Sequence, residues 1–451
     1  MTKPRSLPST TSTTAEVVGG TGSGDILRTV LPGGLRVVSE RIAGSRSFAV
    51  GFFANTGSRH EAPHLHGVSH FLEHVLFKGT RSRGPEDISA AIEEVGGDIN
   101  AYTAKEHTCF HARVLGDNRD VAVDVISDML SNSLIRSSDV EAERAVILDE
   151  IAMHADDPGE LAQELVSARL FTGSPLERNV IGSTASIEAM GRRQIASYWR
   201  RHYRGPSLVV AAAGMVDHEH LVESLVPFAE KVAADTAAPR LPAGRTREAE
   251  PGVLLLQRPF EHAQAVMAFR SPGLFREPGV LDETRPALNL LALILGGGMS
   301  SRLFVEVRER RGLAYSIDAS EGAYADAGSF EVEWGSAAAR VPEIAGLVRD
   351  EIGRIISDGV TDTELRRVKG QMTGQLLLGH EGADARMSRV GNGELLGDHR
   401  TLDDIIATYQ AVTLDDVQAA ARAILSTAPV LTVVGPRVAR AKLTRLVDRW
   451  I

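Results

Sequence analysis

Short apolar runs closed by turn residues alternate along this chain with amphipathic stretches, and the same succession occurs twice. In the first half Phe48-Ala49-Val50-Gly51-Phe52-Phe53 reads as a strand, and a helical segment follows near 66–78. In the second half Ala265-Val266-Met267-Ala268-Phe269 stands ahead of a helical segment near 285–296. Each half then closes on an apolar run ending in glycine, Leu208 to Gly214 and Val430 to Gly435, and a further helical pattern follows each. Runs of that length suit strands, and the stretches between them are long enough for helices. The order predicts an α+β fold of two similar, duplicated domains, each a mainly antiparallel sheet packed against helices.

Proline and small residues mark the divisions. Residues 236–252, with Pro239, Pro242 and Pro251, read as a linker between a domain over 26–235 and a second over 253–451. Residues 1–25 are rich in Ser, Thr and Gly and read as a disordered tail. Lys3 and Arg5 precede any acid, as in a transit peptide, but the amphipathic Arg-rich pattern is missing. The tail has no apolar core for a secretory signal, and no run approaches the 18 apolar residues of a membrane span. A bacterial cytoplasm is the expected compartment, with the mitochondrial matrix as the alternative. The net charge of −10 argues against a general nucleic-acid binder, which needs a basic face for phosphates. A single cysteine, Cys109, rules out an internal disulfide and reads as a buried, inert thiol on a strand.

The chemistry-bearing segment is His70-Phe71-Leu72-Glu73-His74, inside the first helical stretch and ahead of Lys78 and Gly79, which favour a helix end. Histidines four apart lie on one face, one turn apart, and Glu73 falls on the same side. Two such imidazoles can share a zinc ion, and a carboxylate beside them can act as general base toward water activated by the metal. His60, His64 and His66 read as parts of an exposed loop before the helix.

A third ligand is needed, and spacing alone does not name it. Glu143 and Glu150 are seven apart on a helix expected to start at a capping box of Ser138 and Glu141. They share a face and lie about 10 Å apart along the axis. Either could bind metal while the other acts nearby, and both could equally be solvated surface residues.

At this point the chain resembles the pitrilysin-type inverzincins, closest to the processing-peptidase β-subunit and its bacterial homologues. The resemblance runs from about residue 26 to the end. It rests on His70 to His74 continuing into Phe77-Lys78-Gly79-Thr80, on Gly97-Asp98-Ile99-Asn100-Ala101-Tyr102-Thr103, on Glu143 to Glu150, and on Arg311-Gly312-Leu313-Ala314-Tyr315.

The resemblance implies one zinc ion per chain held by His70, His74 and Glu150, with Glu73 as base and Glu143 as a supporting acid. It implies that Asn100 and Ala101 lie on an edge strand that binds substrate in extended form. Arg308 and Tyr315 would hold substrate and stabilise the tetrahedral intermediate; by residue type alone Arg308, Arg310 and Arg311 read as a solvated basic run. Glu160 and Glu164 match acidic positions that recognise arginine, although the text around them departs from the usual one. The second half carries no such metal motif, its corresponding stretch being Leu290 to Met299. The implied activity is a zinc endopeptidase acting on peptides or presequence-like segments inside a chamber, each chain forming half of a clam-shell. A homodimer is the simplest assembly, with a heterodimer with an inactive paralogue left open. The rivals are a non-catalytic scaffold subunit and a peptide-binding subunit that needs a partner.

Overall fold

A computed structural model describes residues 14–21, 24–234, 249–277 and 279–451. Its strands are β1 (Glu16–Thr21), β2 (Gly24–Val30), β3 (Arg36–Arg41), β4 (Ser47–Ala54), β5 (Asp98–Thr103), β6 (Thr108–Leu115) and β7 (Leu208–Gly214) in the first half. The second half contributes β8 (Gly252–Gln257), β9 (Ala263–Ser271), the short ribbon β10 (Phe275–Glu277) and β11 (Val280–Leu281), then β12 (Ser316–Ala323), β13 (Gly328–Ser336) and β14 (Val430–Gly435).

The duplication is legible in the pairing. One sheet runs β1-β2-β3-β7-β4-β6-β5 and the other β12-β13-β9-β14-β8. Read from β3 and from β8, both have the same order: β3-β7-β4-β6-β5 and β8-β14-β9-β13-β12. In each, the first pair is parallel (β3 with β7, β8 with β14) and every later pair is antiparallel. The mainly antiparallel α+β expectation therefore holds.

Burial follows position in the sheet. β7 and β14 are buried at every residue, which is why they read as apolar runs, broken only by Thr432 in β14. β5, at the sheet's edge, alternates exposed and partly buried residues.

The chain's route differs from two continuous halves. One compact unit gathers the described residues of 1–149, 180–242 and 377–403, and the other those of 150–179, 243–376 and 404–451. Each sheet is thus covered on one face by a helix from the opposite half of the chain. Helix Ala383–Leu396 packs on β3, β4 and β7, where Met387 and Val390 join Phe53, Ala49 and Ala211 in one apolar cluster. Helix Pro158–Leu170 packs on β9 and β14 through Ala162, Val166 and Leu170. Nothing in an amphipathic helix says which sheet it will cover, so the sequence alone suggests a simple split at the linker.

The expectation of a disordered tail over 1–25 does not hold from Glu16 to Thr21 or at Gly24 and Asp25, which form strands. Residues 1–13 lie outside the described ones, but Glu16–Thr21 and Gly24 onward pair as an antiparallel hairpin that extends the first sheet. Val17 and Val18 amid Ser, Thr and Gly are enough for an edge strand once β2 supplies the ladder. The expected linker lies outside the described residues as far as 248, and Gly252 already begins β8.

Helix Ala383–Leu396 sits close to its sheet. A Cβ on Gly51 would come within 2.4 Å of Met387 Sδ, and one on Gly391 within 2.3 Å of the Phe53 ring. Two buried ionic clusters fix its position. Glu40, 3% exposed, accepts from Arg386 at 2.8 Å and Arg389 at 2.7 Å. Glu394 accepts from Arg28 at 2.9 Å and Arg36 at 3.3 Å, and lies 2.8 Å from His399 Nε2. Desolvation leaves such clusters with little net stabilising effect, whereas full burial of a residue such as Phe53 contributes about 1.5–3 kcal/mol. The ionic groups set register and the apolar ones supply stability. Glu40→Ala, by stranding two half-buried guanidinium groups, is expected to cost about 3–5 kcal/mol. The triple change Glu40→Leu, Arg386→Leu, Arg389→Met is expected to recover most of that loss; urea-denaturation midpoints of the two variants check both.

Candidate metal centre

The motif's helix spans Val68–Leu76, nine residues, shorter than the predicted 66–78. A helix that short is unstable alone in water. Val68, Phe71, Leu72, Val75 and Leu76 are buried and anchor one side, leaving His70, Glu73 and His74 partly buried on the other.

Its N-terminus is held from outside the helix. Glu61, 2% exposed, accepts from the backbone N–H of Gly67 at 2.7 Å and of Ser69 at 2.8 Å. The carboxylate satisfies helix donors that have no intrahelical partner and places negative charge where the dipole favours it. Gly67 sits at φ 92°, and a Cβ there would meet the Ile181 carbonyl oxygen at 2.8 Å, so only glycine fits. Behind it Tyr198 Oη contacts Ser69 Oγ at 2.9 Å and Thr56 Oγ1 at 2.8 Å. His60 is not a solvent loop residue: its Nδ1 accepts from Gly57 N at 3.2 Å, and burial first, then His202 and Arg59, push its pKa down to about 4. His64 is exposed and His66 partly so.

His70 and His74 lie with ring centroids 4.6 Å apart and planes at 67°. The distant glutamates arrive on one continuous helix, Ser137–Ala155. Ser138 falls inside that helix, and Glu141 pairs with Arg144 instead of closing a capping box. The helix brings the two glutamates to different places. Glu150, His70 and His74 each offer one ligand atom, all within 4.8 Å of one another, the one such trio among the described residues. Glu143, two turns earlier on the same face and 5% exposed, lies 3.0 Å from His74 Nδ1 and 2.7 Å from Lys78 Nζ. A carboxylate only accepts, so His74 donates from Nδ1, which leaves Nε2 with its lone pair. Two imidazole nitrogens and one carboxylate oxygen form a donor set that suits a catalytic zinc.

Glu73 faces β5. Thr103, the last residue of that strand, donates its hydroxyl to Glu73 Oε2 at 2.5 Å. Cys109, on the neighbouring strand, is fully buried; burial and the Glu73 charge push its thiol up, which makes it inert as expected. Asn100 and Ala101 lie on β5, the sheet's edge, where Asn100 Oδ1 accepts from Ala101 N at 2.8 Å.

Within the second unit, Arg308 is not a free solvated cation. Its guanidinium carbon lies 4.8 Å from the Phe304 ring centroid and 5.3 Å from that of Tyr315, which is 84% exposed. It sits in a π-helical turn, Phe304–Glu309, while Arg310 and Arg311 both pair with Glu306. Glu160 and Glu164 are exposed on helix Pro158–Leu170; Glu164 accepts from Asn179 at 3.0 Å, and Glu160 lies 3.7 Å from His154. Sequence reasoning missed Glu61, Thr103 and the role of Lys78. Lys78 and Thr103 sat inside recognised segments, but no spacing rule joins them to residues 65 or 30 positions away.

Comparison with known proteins identifies the family. Residues 36–184 match the insulinase family, peptidase family M16, and residues 189–372 match the peptidase M16 inactive domain. A protein of Streptomyces coelicolor named an uncharacterized zinc protease is 45% identical, over 93% of this chain and 92% of that one. Similarly named proteins of Mycobacterium tuberculosis and Bacillus subtilis are 40% and 32% identical, over 92% and 91% of this chain and 94% and 98% of theirs. Among solved structures, a peptidase M16 inactive domain from Pseudomonas fluorescens superposes with TM-score 0.83 at 20% identity, covering 92% of this chain and 98% of that one. A protease from Helicobacter pylori gives TM-score 0.83 at 18% identity, covering 92% and 100%. With both of its halves matched and relatives of that name across nearly its whole length, the chain belongs to peptidase family M16.

Proposed function

We propose that this chain is a zinc-dependent endopeptidase that hydrolyses peptides or presequence-like segments held in extended form. The observation that carries the reading is the convergence of His70, His74 and Glu150, from two separate helices, beside the carboxylate of Glu73. The naming of its relatives as zinc proteases supports the choice of metal. His70, His74 and Glu150 would hold one zinc ion, which would supply Lewis-acid chemistry toward water and a carbonyl.

Glu73 takes the proton of the attacking water and passes it to the leaving amine. Glu143, held by Lys78, keeps His74 in the tautomer that presents Nε2. The free edge of β5 at Asn100 and Ala101 offers main-chain groups to an added peptide strand. Arg308 and Tyr315 supply a cation and a phenol to the tetrahedral intermediate. Glu160 and Glu164 would favour an arginine near the cleaved bond. The working form in this reading is a homodimer enclosing a chamber, in a bacterial cytoplasm. No described helix is long and apolar enough to cross a membrane.

The deciding experiment measures zinc by elemental analysis and cleavage of a quenched peptide by the chain alone. Zinc without turnover would favour a peptide-binding subunit, and neither would favour a scaffold. Glu73→Gln is expected to keep its zinc and lose about 10²–10⁴-fold in turnover; near-parental turnover would remove it as the base. Glu143→Gln is expected to weaken zinc binding about 10–100-fold in a competition titration with a fluorescent chelator. Stripping the metal with a chelator should abolish cleavage, and stoichiometric zinc should restore it.

A further inference from the structure

Thr103 has a place in the site that the motif does not assign. Its Oγ1 lies 2.5 Å from Glu73 Oε2. A carboxylate has no proton to give, so the threonine donates, and its single hydroxyl proton is committed to this bond. The last bond of a glutamate side chain has a broad rotamer well, so each donor to the carboxylate narrows its orientation. The donor on Oε2 narrows that orientation and leaves Oε1 to face elsewhere.

The donor itself is on rigid backbone. Thr103 pairs with Thr108 at the closed end of the β5–β6 hairpin, and Ala104 N donates to His107 O at 2.8 Å. The turn is clamped against residues 56–59: Arg59 N donates to Lys105 O at 2.8 Å, Ser58 N to Ala104 O at 3.3 Å, and Thr108 Oγ1 to Thr56 O at 2.9 Å. A Cβ on Gly57 would lie 2.2 Å from Ala104 O, so the two turns touch with no room to spare. Threonine's branched Cβ limits its own rotation on a strand, which pre-sets the direction of the hydroxyl.

The strand is also the sheet's edge. Asp98, Asn100 and Tyr102 point one way along β5, and Ile99, Ala101 and Thr103 the other, toward the side on which Glu73 lies. We propose that Thr103 is a positioning residue that ties the Glu73 carboxylate to the edge strand receiving the substrate. A peptide paired with Asn100 and Ala101 then meets the base in a fixed register. The inference rests on the peptidase reading above.

The test uses the zinc-loaded full chain with Thr103→Val and Thr103→Ser. The valine variant keeps the shape and loses the donor. It is expected to lower kcat about 10–100-fold at unchanged zinc content, with KM within about twofold of the parent. Its crystal structure should show the Glu73 carboxylate rotated or spread over two positions, with the β5–β6 backbone unmoved. The serine variant, which keeps the donor, should regain most of kcat and the single carboxylate position. Parental kcat in the valine variant, an unmoved Glu73, or a loss that tracks zinc content would overturn the proposal. If the parent chain cleaves nothing, the peptidase reading fails, while the position of Glu73 in the valine variant still decides the role of Thr103.

Discussion

Everything at the metal centre depends on holding a nine-residue helix that could not persist by itself. Two and a half turns provide too few internal hydrogen bonds to offset the nucleation cost. The fold supplies what is missing in three ways. An apolar side from Val68 to Leu76 is buried, the Glu61 carboxylate closes the N-terminal donors, and the motif's polar side is met by separate partners. Glu143 meets His74, and Thr103 meets Glu73. Two of the three chemically important groups, His74 and Glu73, are therefore placed by side chains outside their own helix.

That division explains what could be read from the sequence. The spacing of His70, Glu73 and His74 is a local property, fixed by helical geometry, and it was legible as chemistry. The spacing of Glu143 and Glu150 was legible as one face of one helix, while the division of labour between them came from the family resemblance and not from spacing. That division depends on where the helix lies against the histidines, which no linear pattern encodes. Glu61, six and eight residues before the backbone N–H groups that donate to it, looks like an ordinary loop acid. Lys78 looks like a helix-ending cation, and does end the helix, while its ammonium also serves a glutamate 65 positions later.

The fold shows the same split between local and distant information. The runs of β4, β7, β9 and β14 were visible because buried central strands are mostly apolar. The weak edge hairpin of β1 and β2 was hidden in a segment dominated by small polar residues. The exchange of helices between the halves was hidden for a different reason: an amphipathic surface specifies that a partner exists, not which one.

The exchange also bears on the order in which the chain can be completed. The first sheet lacks the cover of one face until residues 383–396 have been made, near the end of a 451-residue chain. During synthesis the strands that carry the metal motif's scaffold must wait with Phe53, Ala49 and Ala211 on an unfinished surface. A break at the linker would make that condition permanent in the N-terminal fragment. The two halves are duplicates in pattern, yet each leaves one face of its sheet to be covered by a helix from the other.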